Sequence, residues 1–148
     1  MNKQNTSSLS ILVVDDEADM RLALSAALGR AGCEVEAVSS GLEALYKLEK
    51  RTYDVVISDV RMPHVSGLDV LRKAKEHNPQ VSFIMITAYG TIENAVEAMR
   101  EGATDYILKP FSVEILEDAV RRVWKRKGPR VGKEEPAGRS QEVPLKGE

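Results

Sequence analysis

Asp54-Val55-Val56-Ile57-Ser58-Asp59-Val60-Arg61-Met62-Pro63 is the stretch that decides the fold. Its first half, Asp54–Ser58, is nearly all apolar and too short for a helix, and Pro63 marks a loop soon after. A strand without polar alternation is buried on both faces, the pattern of a central strand in a parallel sheet covered by helices.

Working outward, Ser10–Val14 reads as a first strand, and Ala18–Ala31 as a helix with Leu24, Ala27, Leu28 and Ala31 at i, i+3, i+4 and i+7. Gly32 closes that helix. Glu34–Val38 is a second strand, and Ser40 with Glu43 forms a capping-box pattern that opens a helix through about Lys50. Asp54–Ser58 is the third strand. Pro63 and Gly67 mark a loop before a helix from about Leu68 to His77, which Asn78-Pro79 ends. Ser82–Thr87 is the fourth strand. Gly90 breaks the chain before a second helical stripe of Ile92, Ala95, Val96 and Met99, which Gly102 stops. Asp105–Lys109 is the fifth strand, and after Pro110 a last helix carries Leu116, Ala119, Val120 and Val123 on one face, ending near Lys127 before Gly128-Pro129.

This alternation needs right-handed helical crossovers between parallel strands. It predicts an α/β, flavodoxin-like doubly wound domain over residues 10–127, with a five-stranded parallel sheet in the order 2-1-3-4-5 and five helices. Residues 1–9 are expected to be a flexible N-terminus. Residues 128–148, rich in Gly, Pro, Lys and Glu, bury too little to offset ordering entropy and are expected to be a flexible basic linker or tail.

Four of the runs end in polar residues that could share one site: Asp15 and Asp16 after the first strand, Asp59 after the third, Thr87 at the end of the fourth and Lys109 at the end of the fifth. The carboxyl ends of parallel strands lie on one edge, where open α/β sheets place their ligands. Three crowded carboxylates oppose one another's ionisation, so cations must gather there. Lys109 supplies one, and a hard divalent ion with oxygen ligands, Mg²⁺, suits the remainder. Asp59 is then a candidate nucleophile for an aspartyl phosphate.

Composition limits the remaining classes. The chain has 148 residues, 43% hydrophobic and 30% charged, which fits one soluble globular domain. The net charge of −2 divides unevenly: Met1 to Trp124 carries 14 basic and 19 acidic residues, Lys125 to Glu148 carries 7 and 4. A single cysteine, Cys33, leaves no internal disulfide or cysteine-based zinc site and fits a reducing compartment. No apolar stretch approaches the roughly 20 residues that span a bilayer, and Met1–Ser10 lacks the apolar middle of a secretory signal. A cytoplasmic location without membrane contact is expected.

Taken in order, Asp15-Asp16, Asp59 followed by Val60-Arg61-Met62-Pro63 and Gly67, Thr87-Ala88, and Lys109-Pro110-Phe111 resemble the signature of response-regulator receiver domains, over roughly Ser10 to Lys127. Ile86-Thr87-Ala88-Tyr89-Gly90-Thr91-Ile92-Glu93-Asn94-Ala95-Val96-Glu97-Ala98-Met99, with Gly102-Ala103-Thr104-Asp105-Tyr106, is similar more narrowly to receivers of the NtrC-like group. Members of that group control sigma-54-dependent transcription through an attached ATPase and a DNA-binding module. No phosphate loop of the GxxxxGK[ST] type and no helix-turn-helix candidate occurs in this sequence.

The resemblance implies that the chain is not an enzyme but a signalling phosphoacceptor of a two-component system that assists its own phosphoryl transfer and autodephosphorylation. Asp59 would receive a phosphoryl group from a sensor histidine kinase. Mg²⁺ would be held by Asp16 directly, Asp15 through water, Asp59 and the backbone carbonyl of Arg61. Lys109 and Thr87 would contact the phosphoryl oxygens, with Arg61 and Tyr89 tuning hydrolysis. Thr87 and Tyr106 would act as the switch, Tyr106 rotating inward and the helix from Thr91 to Glu101 shifting. That helix, the fifth strand and the last helix would then form the output and homodimer face.

Other readings stand beside these. Asp15 and Asp16 could cap the helix near Ala18, Asp59 could be a turn residue, and Lys109 a solvated lysine before a Pro110 that suggests a cis peptide. His64 and His77 read as surface residues, Cys33 as a small packed residue, and Trp124 as a cover for the end of the sheet. Lys125, Arg126, Lys127 and Arg130 support a helix C-terminus rather than nucleic-acid contact. The same fold could carry FMN in an electron-transfer flavoprotein, although Asp15-Asp16 would repel its phosphate. A haloacid-dehalogenase-like phosphatase would want an acid where Arg61 stands, and a phosphorylation-independent docking module would lack one of the acidic, hydroxyl or lysine positions.

Overall fold

In this computed structural model, residues 9–88 and 90–127 are described; residues 1–8, Tyr89 and the Gly128-Pro129 stop with the rest of the tail lie outside them. Among the described residues ten elements alternate: β1 (Ser10–Val14), α1 (Ala18–Arg30), β2 (Glu34–Val38), α2 (Gly41–Lys50), β3 (Val55–Asp59), α3 (Gly67–His77), β4 (Ser82–Thr87), α4 (Ile92–Arg100), β5 (Asp105–Leu108) and α5 (Val113–Lys127). All strand pairings are parallel and the order is β2-β1-β3-β4-β5, the flavodoxin-like arrangement.

The sheet is buried on both sides because its strands alternate between two cores. Ile11, Val13, Val55, Ile57, Ile84 and Ile86 meet α1 and α5, while Leu12, Val14, Val56, Phe83 and Met85 meet α2, α3 and Ala98 of α4. Cys33 is buried in the first core, and Trp124 packs partly buried against it. Leu9, one residue before the sequence-based boundary, is fully buried there as well, and its carbonyl accepts from the Glu34 N–H.

Boundaries shift for local reasons. β3 runs Val55–Asp59 rather than Asp54–Ser58, because the Asp54 carboxylate clasps the start of β1, accepting from the Ser10 N–H at 2.9 Å. β5 stops at Leu108, before Lys109 and a Pro110 that has no N–H to extend a ladder. At the end of α1, Gly32 takes φ +95°, its N–H reaches Gly29 and that of Cys33 reaches Leu28, the glycine-terminated closure expected there. Gly102 closes α4 likewise at φ +110°.

The Ser40–Glu43 box is only half formed. Ser40 Oγ accepts from the Glu43 N–H, but the Glu43 carboxylate accepts from the N–H of Ser39 instead of Ser40. The complete reciprocal box opens α3, between Ser66 and Asp69. The stripe of α4 faces outward: Ile92, Val96 and Met99 are 81%, 43% and 48% exposed, and only Ala98 of this helix is buried.

Candidate functional site

β1 and β3 are adjacent and in register, Val14 opposite Ser58, so their next residues emerge side by side at the carboxyl edge of the sheet. The turn after β1 is tied down: the Asp15 N–H donates to the Val38 carbonyl, and Asp15 Oδ1 accepts from the Glu17 N–H at 2.9 Å. Neither Asp15 nor Asp16 caps α1; its N-cap is Glu17. Asp15, Asp16 and Asp59 each bring a carboxylate oxygen within 4.8 Å of the others, with Asp15 fully buried, Asp59 at 7% exposure and Asp16 open to solvent.

Lys109 reaches into this cluster from the end of β5. Its Nζ lies 3.1 Å from Asp15 Oδ2, 3.1 Å from Asp59 Oδ2 and 3.4 Å from Glu17 Oε1. Its backbone N–H donates to the Thr87 carbonyl at 2.8 Å, and the Lys109–Pro110 peptide is cis. Burial pushes the Asp59 carboxyl above the ordinary carboxylate range; the Lys109 contact pulls it back and the Asp15 charge adds to the rise. Burial alone would depress Lys109, but bonds and charge from Asp15 and Asp59 outweigh it and hold the ammonium above its usual value. The positive form of Lys109 is thereby favoured beside Asp15 and Asp59.

The third strand delivers Asp59 on a firmly held backbone. The Val60 N–H donates to Ile86 and the Gly67 N–H to the Val60 carbonyl. A Cβ on Gly67 would stand 2.4 Å from the Asp59 carbonyl oxygen, so only glycine lets α3 start this close. The Arg61 N–H donates to Asp59 Oδ1 at 3.2 Å. Asp16, Glu17, Asp59, Arg61, Ala88 and Lys109 line an open cavity of about 280 Å³. Three carboxylate oxygens within 4.8 Å of one another and the Lys109 ammonium thus meet beside this cavity, a donor set that could hold a divalent cation.

The family profile for the response regulator receiver domain matches residues 11–121. The chain belongs to that family. Among curated relatives, the regulatory protein AtoC of Escherichia coli (strain K12) is 40% identical over 112 residues, 76% of this chain and 24% of AtoC. The DNA-binding transcriptional regulator NtrC of the same strain is 36% identical over 124 residues, 81% of this chain and 26% of NtrC. The chain thus spans about a quarter of the length of these relatives. Its fold matches a response regulator receiver domain from Clostridium thermocellum with a TM-score of 0.75 and 37% identity, covering 80% of this chain and 96% of the other. It matches the beryllofluoride-activated NtrC4 receiver domain dimer with a TM-score of 0.75 and 32% identity, covering 80% and 98%. The receiver is of the NtrC-like kind, as its sequence motifs indicated.

Of the expected site residues, the receiver gathers Asp15, Asp16, Asp59 and Lys109 directly. Thr87 is fully buried at the end of β4, next to cavity-lining Ala88. Tyr106 stands apart, half-buried against the α2–α4 core, with its hydroxyl enclosed and unpartnered. His64 and His77 are exposed. Two residues escaped the sequence reading: Glu17, third partner of Lys109, and Arg21, whose Nη1 donates to the Asp15 carbonyl at 2.9 Å. Each looks like an ordinary solvated helix residue in the sequence. Their only signal was proximity to the acidic pair.

Proposed function

We propose that this receiver is the phosphoacceptor of a two-component system, with Asp59 taking a phosphoryl group from a sensor histidine kinase and passing the signal to a transcriptional output module. The observation that carries this reading is Lys109 Nζ at 3.1 Å from both Asp15 and Asp59 beside an open cavity. In the transfer, an Asp59 oxygen bonds to phosphorus as the donor's bond to phosphorus breaks and the donor leaves with that electron pair. Lys109, already seated on Asp59, would pair with the phosphoryl oxygens, and Thr87 would donate to them. Catalysis of this kind is mostly positioning and charge neutralisation.

The oxygen-only donor set suits Mg²⁺, with Asp16 as a direct ligand, Asp15 through water, and Asp59 and the Arg61 carbonyl completing the protein side. Bound there, the ion would neutralise charge on the transferring group. In this reading the receiver also assists its own autodephosphorylation. The FMN reading finds no support, since the turn after β1 offers carboxylates where a phosphate would sit.

The proposed output is the face of α4, β5 and α5, where Ile92, Val96, Met99, Leu108, Val113 and Ile115 are all exposed. Thr87 and Tyr106 would couple it to the site, and its apolar surface suits a phosphorylation-dependent homodimer. The NtrC4 receiver, described as a dimer in its beryllofluoride-activated form, is a precedent. An attached ATPase and DNA-binding module, as in NtrC-like regulators, would carry the DNA contact, and the cytoplasm is the fitting location. Among the described residues no helix is long and apolar enough to cross a membrane.

The test is intact mass and hydrodynamic size before and after acetyl phosphate with Mg²⁺. The wild type should gain one phosphoryl group and Asp59→Asn none. A variant that still gains the mass would assign the acceptor elsewhere.

A further inference from the structure

Glu17 occupies a position its chemistry does not explain locally. It is the N-cap of α1, in extended conformation, yet its side chain makes no cap hydrogen bond. Ser, Thr, Asp or Asn would serve there better. Its carboxylate turns instead to Lys109 Nζ at 3.4 Å, as the outermost of three acidic partners. The other two side chains are held in place, Asp15 fully buried and Asp59 at 10% exposure, whereas that of Glu17 is 64% exposed. Glu17 also lines the cavity beside Asp59, opposite in charge to Arg61.

We infer that Glu17 is a positioning residue that holds Lys109 by charge in the unmodified receiver and opposes an anionic group on Asp59, so that it sets how readily the site fills. The inference rests on the reading of Asp59 as phosphoacceptor. An anionic group on Asp59 needs the Lys109 ammonium, and Glu17 both shares that ammonium and adds a negative charge at the mouth of the cavity. Like charges repel whatever the donor, while the same carboxylate helps to attract a divalent cation. Glu17 therefore acts with opposite sign on the two ligands of the pocket. Loss of structure would weaken both.

Beryllofluoride serves as the anionic probe on the whole chain. Mg²⁺ is titrated first by calorimetry, then beryllofluoride at saturating Mg²⁺ by fluorine NMR. Glu17→Gln should bind beryllofluoride about two- to fivefold more tightly than wild type, the range an exposed charge contact supports, and Mg²⁺ no more tightly. The difference in anion affinity should shrink at high ionic strength. Glu17→Ser, which supplies a better cap, should share the tighter anion binding. Unchanged or weaker beryllofluoride binding in both variants overturns the inference, as does a Ser variant that gains only thermal stability. If the wild type itself ignores beryllofluoride, the phosphoacceptor reading fails and the inference falls with it.

Discussion

α4 leads into β5 and α5 follows it, yet the two helices attach to the domain in opposite ways. α5 buries Leu116, Ala119, Val120 and Val123 in the α1–α5 core, whereas α4 buries Ala98 alone and turns Ile92, Val96 and Met99 to solvent. Both carry an apolar stripe at helical spacing, and the sequence gives no reason to treat them differently. An amphipathic stripe reports that a helix has an apolar partner, but not that the partner is its own sheet. The helix with the thinner attachment is the one expected to open first.

The largest expected effect compares the two stripes directly. Leu116→Ala should lower unfolding free energy by about 2–5 kcal/mol, and Ile92→Ala should stay within roughly 0.5 kcal/mol, both read by urea denaturation. Equal losses would erase the distinction. Amide exchange should sharpen it, with α4 opening well before α5.

A smaller effect is expected at the pocket that faces this margin. The Asp59 carboxyl is raised by burial, so its ionised form works against folding above the raised value, and the penalty is relieved as pH falls toward the unfolded value. Without divalent ions, Asp59→Asn should therefore melt higher than the wild type at neutral pH. The variant should also lack whatever stability the wild type regains as pH falls through the raised Asp59 value. A lower melting point would mean that the Lys109 contact outweighs burial after all.

Tyr106→Phe comes next. The hydroxyl is enclosed without a partner, so its removal should be neutral or stabilising by up to about 1 kcal/mol. A clear loss would reveal an acceptor for the hydroxyl. Smallest is Arg72→Ala, which breaks the paired contacts at 3.2 Å between α3 and Glu101 at the end of α4. Because both groups are exposed, only a slight destabilisation is expected, and it should vanish in high salt.

Much of the receiver was legible in its sequence because the decisive residues are constrained twice. Val55–Ile57 must be apolar to lie between two helical layers, and Asp59 follows after the buried Ser58, where the strand meets the edge. Strand order, the Asp15-Asp16-Asp59 cluster and the Lys109 approach follow from that geometry. What stayed hidden depends on direction or reach. The outward turn of α4 depends on the small Ala98 being enough to seat it, which no periodicity shows. Glu17 needs its long side chain to fold back across the turn, and Ser66 finds its reciprocal partner in an Asp where a Glu or Gln is the usual signal.

Gly67 carries a last consequence. It bears no charge, donor side chain or metal ligand, yet any substituent there would collide with the peptide that presents Asp59. In a complete substitution map of the receiver, this position should tolerate as little as the acidic residues themselves. Its failures should appear as misplaced chemistry in a chain that still folds, a blind spot for any search that looks for function only among reactive side chains.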